Sequence, residues 1–190
     1  MVCGNGTSAK SYAEVAIGCY NTDYTSTAIG FWSPTDRLFV IGNGAFDARS
    51  DALIVYKNGN ATLQGDLSAK SFITTSDHAL KTDIVPADTA AVLAKVVALP
   101  VATWKFKDET VTHLGPMAQD FFAAFQLGGT DTGIASVDAD GVALAAIQEL
   151  NKRVEVLAAA NTVKDARIAE LERAQTSTNA RLAAIEAKLK

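Results

Sequence analysis

The sequence predicts a mixed fold in three parts: coils of β-strand closed by a β-hairpin, then a small α+β unit, then a long parallel coiled-coil helix. Three observations predict it. An apolar-Ile-Gly motif recurs every twelve residues near the N-terminus, Asn58-Gly59 stands between two strand-like runs, and from Ile147 onward heptad spacing continues to the C-terminus. The expected boundaries are 1–64 for the β-repeat segment, 65–75 for a connector, 76–141 for the α+β unit and 142–190 for the coiled coil.

In the first part, Ala16-Ile17-Gly18, Ala28-Ile29-Gly30 and Val40-Ile41-Gly42 carry the repeat, separated by Asn, Thr, Ser, Asp and Pro clusters. Each repeat offers one short strand and a tight turn, and a single coil cannot bury its own isoleucine, so stacked coils are expected. An ordinary β-meander with a chance echo is the alternative. Leu53 to Lys57 and Ala61 to Gln64 flank Asn58-Gly59 as the two arms of a hairpin. Gly65 to Thr75 is polar, with only Leu67, Phe72 and Ile73 to pack, and reads as an extended connector that leaves Ser76 accessible.

The α+β unit has a helical pattern over Thr89 to Leu99, ended by Pro100, and strand candidates at Val101 to Lys107 and Thr112 to Leu114. A second helix is expected from Met117 to Phe125, stopped by Gly128-Gly129 and packing Met117, Phe121 and Phe125 inward.

From Ile147 the seam runs through Leu150, Val154, Leu157, Asn161, Lys164, Ile168, Leu171, Gln175, Thr178, Leu182, Ile185 and Leu189. A two-position seam this long argues for self-association, because a helix buried in one globule shows a broader apolar stripe. With Ile147 at a, Arg167 and Arg181 fall at g while Glu172 and Glu186 fall at e. That is the g-to-e spacing of parallel, in-register strands. Polar Asn161, Lys164, Gln175 and Thr178 weaken the seam and fix its register, and the seam by itself does not choose between two strands and three.

Composition narrows the function. Of 190 residues 48% are apolar and 20% charged, with net charge −4, so the chain is no disordered tail and carries no basic stripe for nucleic acid. No window approaches the ~20 apolar residues of a membrane span, and no signal-like segment follows Met1. Cys3 and Cys19 lack metal or redox spacing; no metal or other cofactor is expected.

Directly after the connector stands Ser76-Asp77-His78-Ala79-Leu80-Lys81-Thr82-Asp83-Ile84. A serine hydroxyl becomes a useful nucleophile beside a base, and neutral lysine serves where burial disfavours its charge. At the ordinary pKa of ~10.4 only about one lysine in a few thousand is neutral at pH 7, so Lys81 needs substantial desolvation or a cationic neighbour, and subunit packing can supply the burial. The peptide bond nearest the Ser76 hydroxyl is its own link to Thr75. Acyl transfer from nitrogen to oxygen, then hydrolysis, would break the chain between Thr75 and Ser76. Taken alone, a serine and lysine five apart are ordinarily a turn serine and a surface lysine.

The text downstream changes that weighting. Ser76-Asp77, Leu80-Lys81 and Ile84, then Leu99-Pro100, Trp104-Lys105-Phe106, His113-Leu114-Gly115-Pro116-Met117-Ala118-Gln119-Asp120-Phe121, Val137-Asp138, Gly141 and Ala145-Ala146-Ile147-Gln148-Glu149-Leu150 resemble, in order and spacing, the endosialidase-type C-terminal intramolecular chaperone. Residues 12 to 45 more weakly resemble the head repeats of trimeric adhesins and fibre shafts, which stack as β-rolls. The resemblance implies a homotrimer and a chaperone that templates an upstream phage tail fibre or tailspike and releases itself as a single-turnover serine peptidase acting in cis. Ser76 and Lys81 inherit the dyad. Asp77 is carried as a candidate site residue, and His113 as a proton donor or oxyanion partner, or else a structural histidine at a strand end; His78 is read as surface. The implied setting is the virion, with assembly in the bacterial cytoplasm, where the released chaperone stays, and with a host-surface receptor or glycan met through the fibre. The competing expectation is a permanent, non-cleaving trimerisation foot on a receptor-binding fibre tip or adhesin.

Overall fold

The computed structural model describes residues 1–107 and 109–189, which divide into two compact units, Met1–Ile73 and the remainder from Thr74.

The first unit is one five-stranded sheet in sequence order: β1 (Val2–Asn5), β2 (Val15–Cys19), β3 (Arg37–Asn43), β4 (Asp51–Tyr56) and β5 (Ala61–Leu63). β1, β2 and β3 run parallel, and β4 and β5 return antiparallel. The first and third repeats pair residue for residue, Ala16 with Val40, Ile17 with Ile41 and Gly18 with Gly42, so the stacking step is two of the twelve-residue periods. Ala28-Ile29-Gly30, expected to form the strand between them, lies outside the sheet. The reason is local: the buried Asp36 carboxylate accepts from the N–H groups of Thr27 and Ala28, at 2.8 and 3.1 Å, and from the Thr27 hydroxyl. Backbone donors held by a carboxylate cannot join a strand ladder. Ala28 is buried there while Ile29 is 80% exposed.

β1, which lies ahead of the repeats read from the sequence, joins in the same register and sets Gly4 against Gly18. The glycines are required. A Cβ on Gly4 would lie 1.9 Å from the Gly18 carbonyl oxygen, and one on Gly18 2.2 Å from that of Gly42, with φ of +138° and +93° at Gly4 and Gly18. Charge is buried beside them: Arg37 donates to the Thr22 carbonyl and hydroxyl, pairs with Asp51 at 3.1 Å and lies over the Tyr24 ring. The Asn58-Gly59 hairpin forms as expected, pairing Val55 with Ala61 and Leu53 with Leu63, with Gly59 at φ +89°.

In the second unit, α1 (Thr89–Ala98) starts where the Asp88 side chain accepts from Ala91 N, and ends before Pro100. β6 (Ala102–Trp104) and β7 (His113–Gly115) pair antiparallel with Trp104 opposite His113. α2 (Ala118–Phe125) stops at Gln126, which adopts φ +55°, ahead of Gly128-Gly129. α3 (Ser136–Lys188) is a single helix about 80 Å long, and begins before the heptad seam does. α1 packs on α3. Leu93, Phe121 and Ala146 are this unit's buried apolar residues, whereas Met117 is 39% exposed and Phe125 half-buried against Phe121.

Along α3 the apolar seam residues from Ile147 to Ile185 are between 49% and 62% exposed in the single chain. No helix among the described residues is long and apolar enough to cross a membrane, and they hold no cluster of three or more His, Cys, Asp or Glu placed to bind a metal.

Candidate functional site

Ser76 follows an exposed stretch without helix or strand, residues 64–75, and stands just ahead of a 3-10 turn over His78–Leu80. Asp77 starts the turn: its Oδ1 accepts from Ala79 N at 2.9 Å, an Asx turn that supplies an acceptor to an otherwise free N–H. The backbone closes on itself through Leu80 N to the Asp77 carbonyl and Lys81 N to the His78 carbonyl. One tight turn therefore brings position 81 back beside position 76, and Lys81 Nζ donates to Ser76 Oγ at 2.6 Å. Asp83, two residues on, takes φ +53°, uncommon for a residue with a side chain, and accepts from the Thr82 hydroxyl.

Every residue from Asn58 through Asp88 is exposed, Ser76 and Lys81 included. Chemically the pair is a hydroxyl and an amine in hydrogen-bond contact. For the hydroxyl to be activated Ser76 must donate and Lys81 accept, the reverse of the direction found here.

His113 lies elsewhere in the unit's chemistry. Its ring stacks on Trp104 with centroids 4.7 Å apart and planes 24° apart, and Phe106 meets it edge-on at 5.5 Å. Its Nε2 and the Trp104 Nε1 are buried and have no hydrogen-bond partner among the described residues. Among the described residues it makes no hydrogen bond to Ser76 or Lys81. Of the four residues singled out, two meet each other, Asp77 turns to the backbone, and His113 is held in an aromatic cluster.

One polar site escaped the sequence reading. Thr89 Oγ1 donates to Glu149 Oε2 at 2.9 Å and accepts from Lys152 Nζ at 3.0 Å, while Arg153 reaches the other Glu149 oxygen at 3.4 Å. The Thr89 hydroxyl holds the Glu149 carboxyl below the usual glutamate range; burial opposes this, and Arg153 and Lys152 reinforce it. The available signal was the heptad phase: Glu149 falls at c, off the seam, and is free to serve α1.

Residues 76–129 match the family model described as the chaperone of endosialidase, the family that the sequence motifs resemble. The match leaves residues 1–75 and the long helix outside it. Among solved structures, the chain is similar to "Structure of the carboxy-terminal domain of the bacteriophage T5 L-shaped tail fiber with its intra-molecular chaperone domain", at 21% identity and a TM-score of 0.23. The alignment covers 49% of this chain and 27% of that one, so the chain spans about a quarter of the length of that solved carboxy-terminal domain. No curated protein matches the chain.

Proposed function

We propose that the chain is the C-terminal end of a phage tail fibre or tailspike, in which the part from Ser76 onward is a trimeric intramolecular chaperone that cuts itself free between Thr75 and Ser76. The observation that carries the proposal is the 2.6 Å contact of Lys81 Nζ with Ser76 Oγ, inside the segment that matches the chaperone family.

The reaction balances within the chain and one water. The Lys81 amine takes the Ser76 hydroxyl proton as Oγ bonds to the Thr75 carbonyl carbon. The C–N bond then breaks, the Ser76 nitrogen takes the proton and leaves as an amine, and Thr75 is held as an ester on Ser76 Oγ. Water hydrolyses the ester, giving a Thr75 carboxylate and restoring the hydroxyl. Each chain turns over once. The cut falls two residues beyond the first compact unit, which ends at Ile73, so it separates that unit whole.

Self-association is supported by what the single chain leaves uncovered. A helix about 80 Å long with half-exposed Ile, Leu and Val at the apolar seam positions from Ile147 to Ile185 is poorly stable alone, and three parallel copies cover that seam. Stacked parallel strands have a high contact order and a slow nucleus, and a parallel coiled coil sets the register of the chains before the strands pair. Cutting after folding removes the template and makes the shaft's persistence a matter of its unfolding rate.

The exposure of both Ser76 and Lys81 favours a second reading, a permanent trimerisation foot that never cleaves. The two readings part on the intact mass of the denatured chain, measured beside Ser76→Ala and Lys81→Ala.

A further inference from the structure

We infer that Asp77 is the positioning residue of this site, acting through the shape of the turn and not through its charge; the inference rests on the self-cleavage proposed above. The dyad is built from a five-residue excursion, and its closure depends on few contacts. Two backbone hydrogen bonds close the turn, Leu80 N to the Asp77 carbonyl at 3.2 Å and Lys81 N to the His78 carbonyl at 3.1 Å. A three-residue 3-10 turn is marginal by itself, because its hydrogen bonds are poorly aligned and few. The side-chain bond from Asp77 Oδ1 to Ala79 N, at 2.9 Å, is the one that fixes where the turn begins. All of His78, Ala79 and Leu80 are exposed, so packing within this chain does not hold the turn either.

Ser76 is extended-side and Lys81 is turn-side of this cap, so losing it frees the two ends to drift apart. The Asp77 carboxylate itself makes no hydrogen bond with Lys81 or Ser76 among the described residues; its one partner is a main-chain N–H. Short side chains with an acceptor two or three bonds from Cα can make that bond, so Ser and Asn serve, while Ala has no acceptor and Glu holds its carboxylate one methylene too far.

The test is the rate of chain cleavage, followed by intact mass from a fresh refolding of the full-length protein, in the parent and in Asp77→Asn, Asp77→Ser, Asp77→Ala and Asp77→Glu, with sedimentation recorded for each. The expected result is cleavage within about threefold of the parent for Asn and Ser, and at least about fivefold slower for Ala and Glu at unchanged assembly state, which matches the usual effect of an N-cap on a turn. Equal rates in Ala and the parent would overturn the inference while leaving self-cleavage standing. Slow cleavage in Asn with normal cleavage in Glu would overturn it in favour of a role for the charge. A parent that never cleaves would overturn the inference together with the proposal beneath it.

Discussion

Lys81 Nζ donates to Ser76 Oγ at 2.6 Å across one tight turn, with both residues open to solvent in the single chain. The contact supplies the geometry, and the proposed acyl transfer further needs a site shielded from bulk water. Since the single chain covers neither residue, the covering surface under this account comes from a neighbouring copy, which ties cleavage to assembly.

A chain that cannot assemble should therefore stay whole. Leu157→Glu with Leu171→Glu places charge at two d positions that are 62% and 52% exposed in the monomer and face other copies in a coiled coil. Each substitution forfeits roughly 2 kcal/mol of leucine burial per chain, before the cost of burying charge. Sedimentation should change from trimer to monomer, and cleavage should fall by at least tenfold. Normal cleavage in the monomer would separate the two activities.

Gly18→Ala should unfold the first unit. The new methyl would sit 2.2 Å from the Gly42 carbonyl oxygen at φ +93°, where neither backbone can retreat without breaking the β2–β3 ladder. The expected loss is about 3 kcal/mol or more, read from thermal unfolding or proteolysis of the fragment before Ser76. Gly59→Ala, at φ +89° with open space around it, should cost only about 1 kcal/mol.

The Thr89–Glu149 contact predicts an acid-labile clasp between α1 and α3. Glu149 titrates lower when folded than when unfolded, with the Thr89 hydroxyl as the main cause. The folded state thus binds fewer protons, and the contribution is complete above the ordinary glutamate pKa of ~4.3 and lost as pH falls through the folded value. The parent should lose more thermal stability than Glu149→Gln between pH 6 and pH 3, with Thr89→Val behaving like the glutamine variant. Parallel pH curves for parent and Glu149→Gln would rule the clasp out.

Much of the architecture was legible because local signals agreed with tertiary ones. Asn58-Gly59 between apolar runs gave the hairpin, Asp88 before Thr89 and Pro100 after Leu99 bracketed α1, and the 3–4 spacing from Ile147 gave the long helix. Where the reading failed, a side chain had taken over the backbone. Ala28-Ile29-Gly30 resembles its neighbouring repeats in sequence, but Asp36 captures the N–H groups of Ala28 and of Thr27 just before it, and no periodicity contains that information. The start of α3 was hidden because Val137 to Leu144 carries no heptad pattern and includes Gly141, which a helix tolerates at a cost of about 1 kcal/mol. The Ser76–Lys81 spacing was visible, whereas Asp77 as the cap of the turn between them emerges only with the backbone in place.

The central claim is tested most directly by the intact masses of the refolded, then denatured, protein beside Ser76→Ala and Lys81→Ala. The account predicts two pieces from the parent alone, of 75 and 115 residues, meeting at Thr75 and Ser76 in this 190-residue chain. A single uncut mass from a well-folded trimeric parent would contradict it and leave the chain a structural foot.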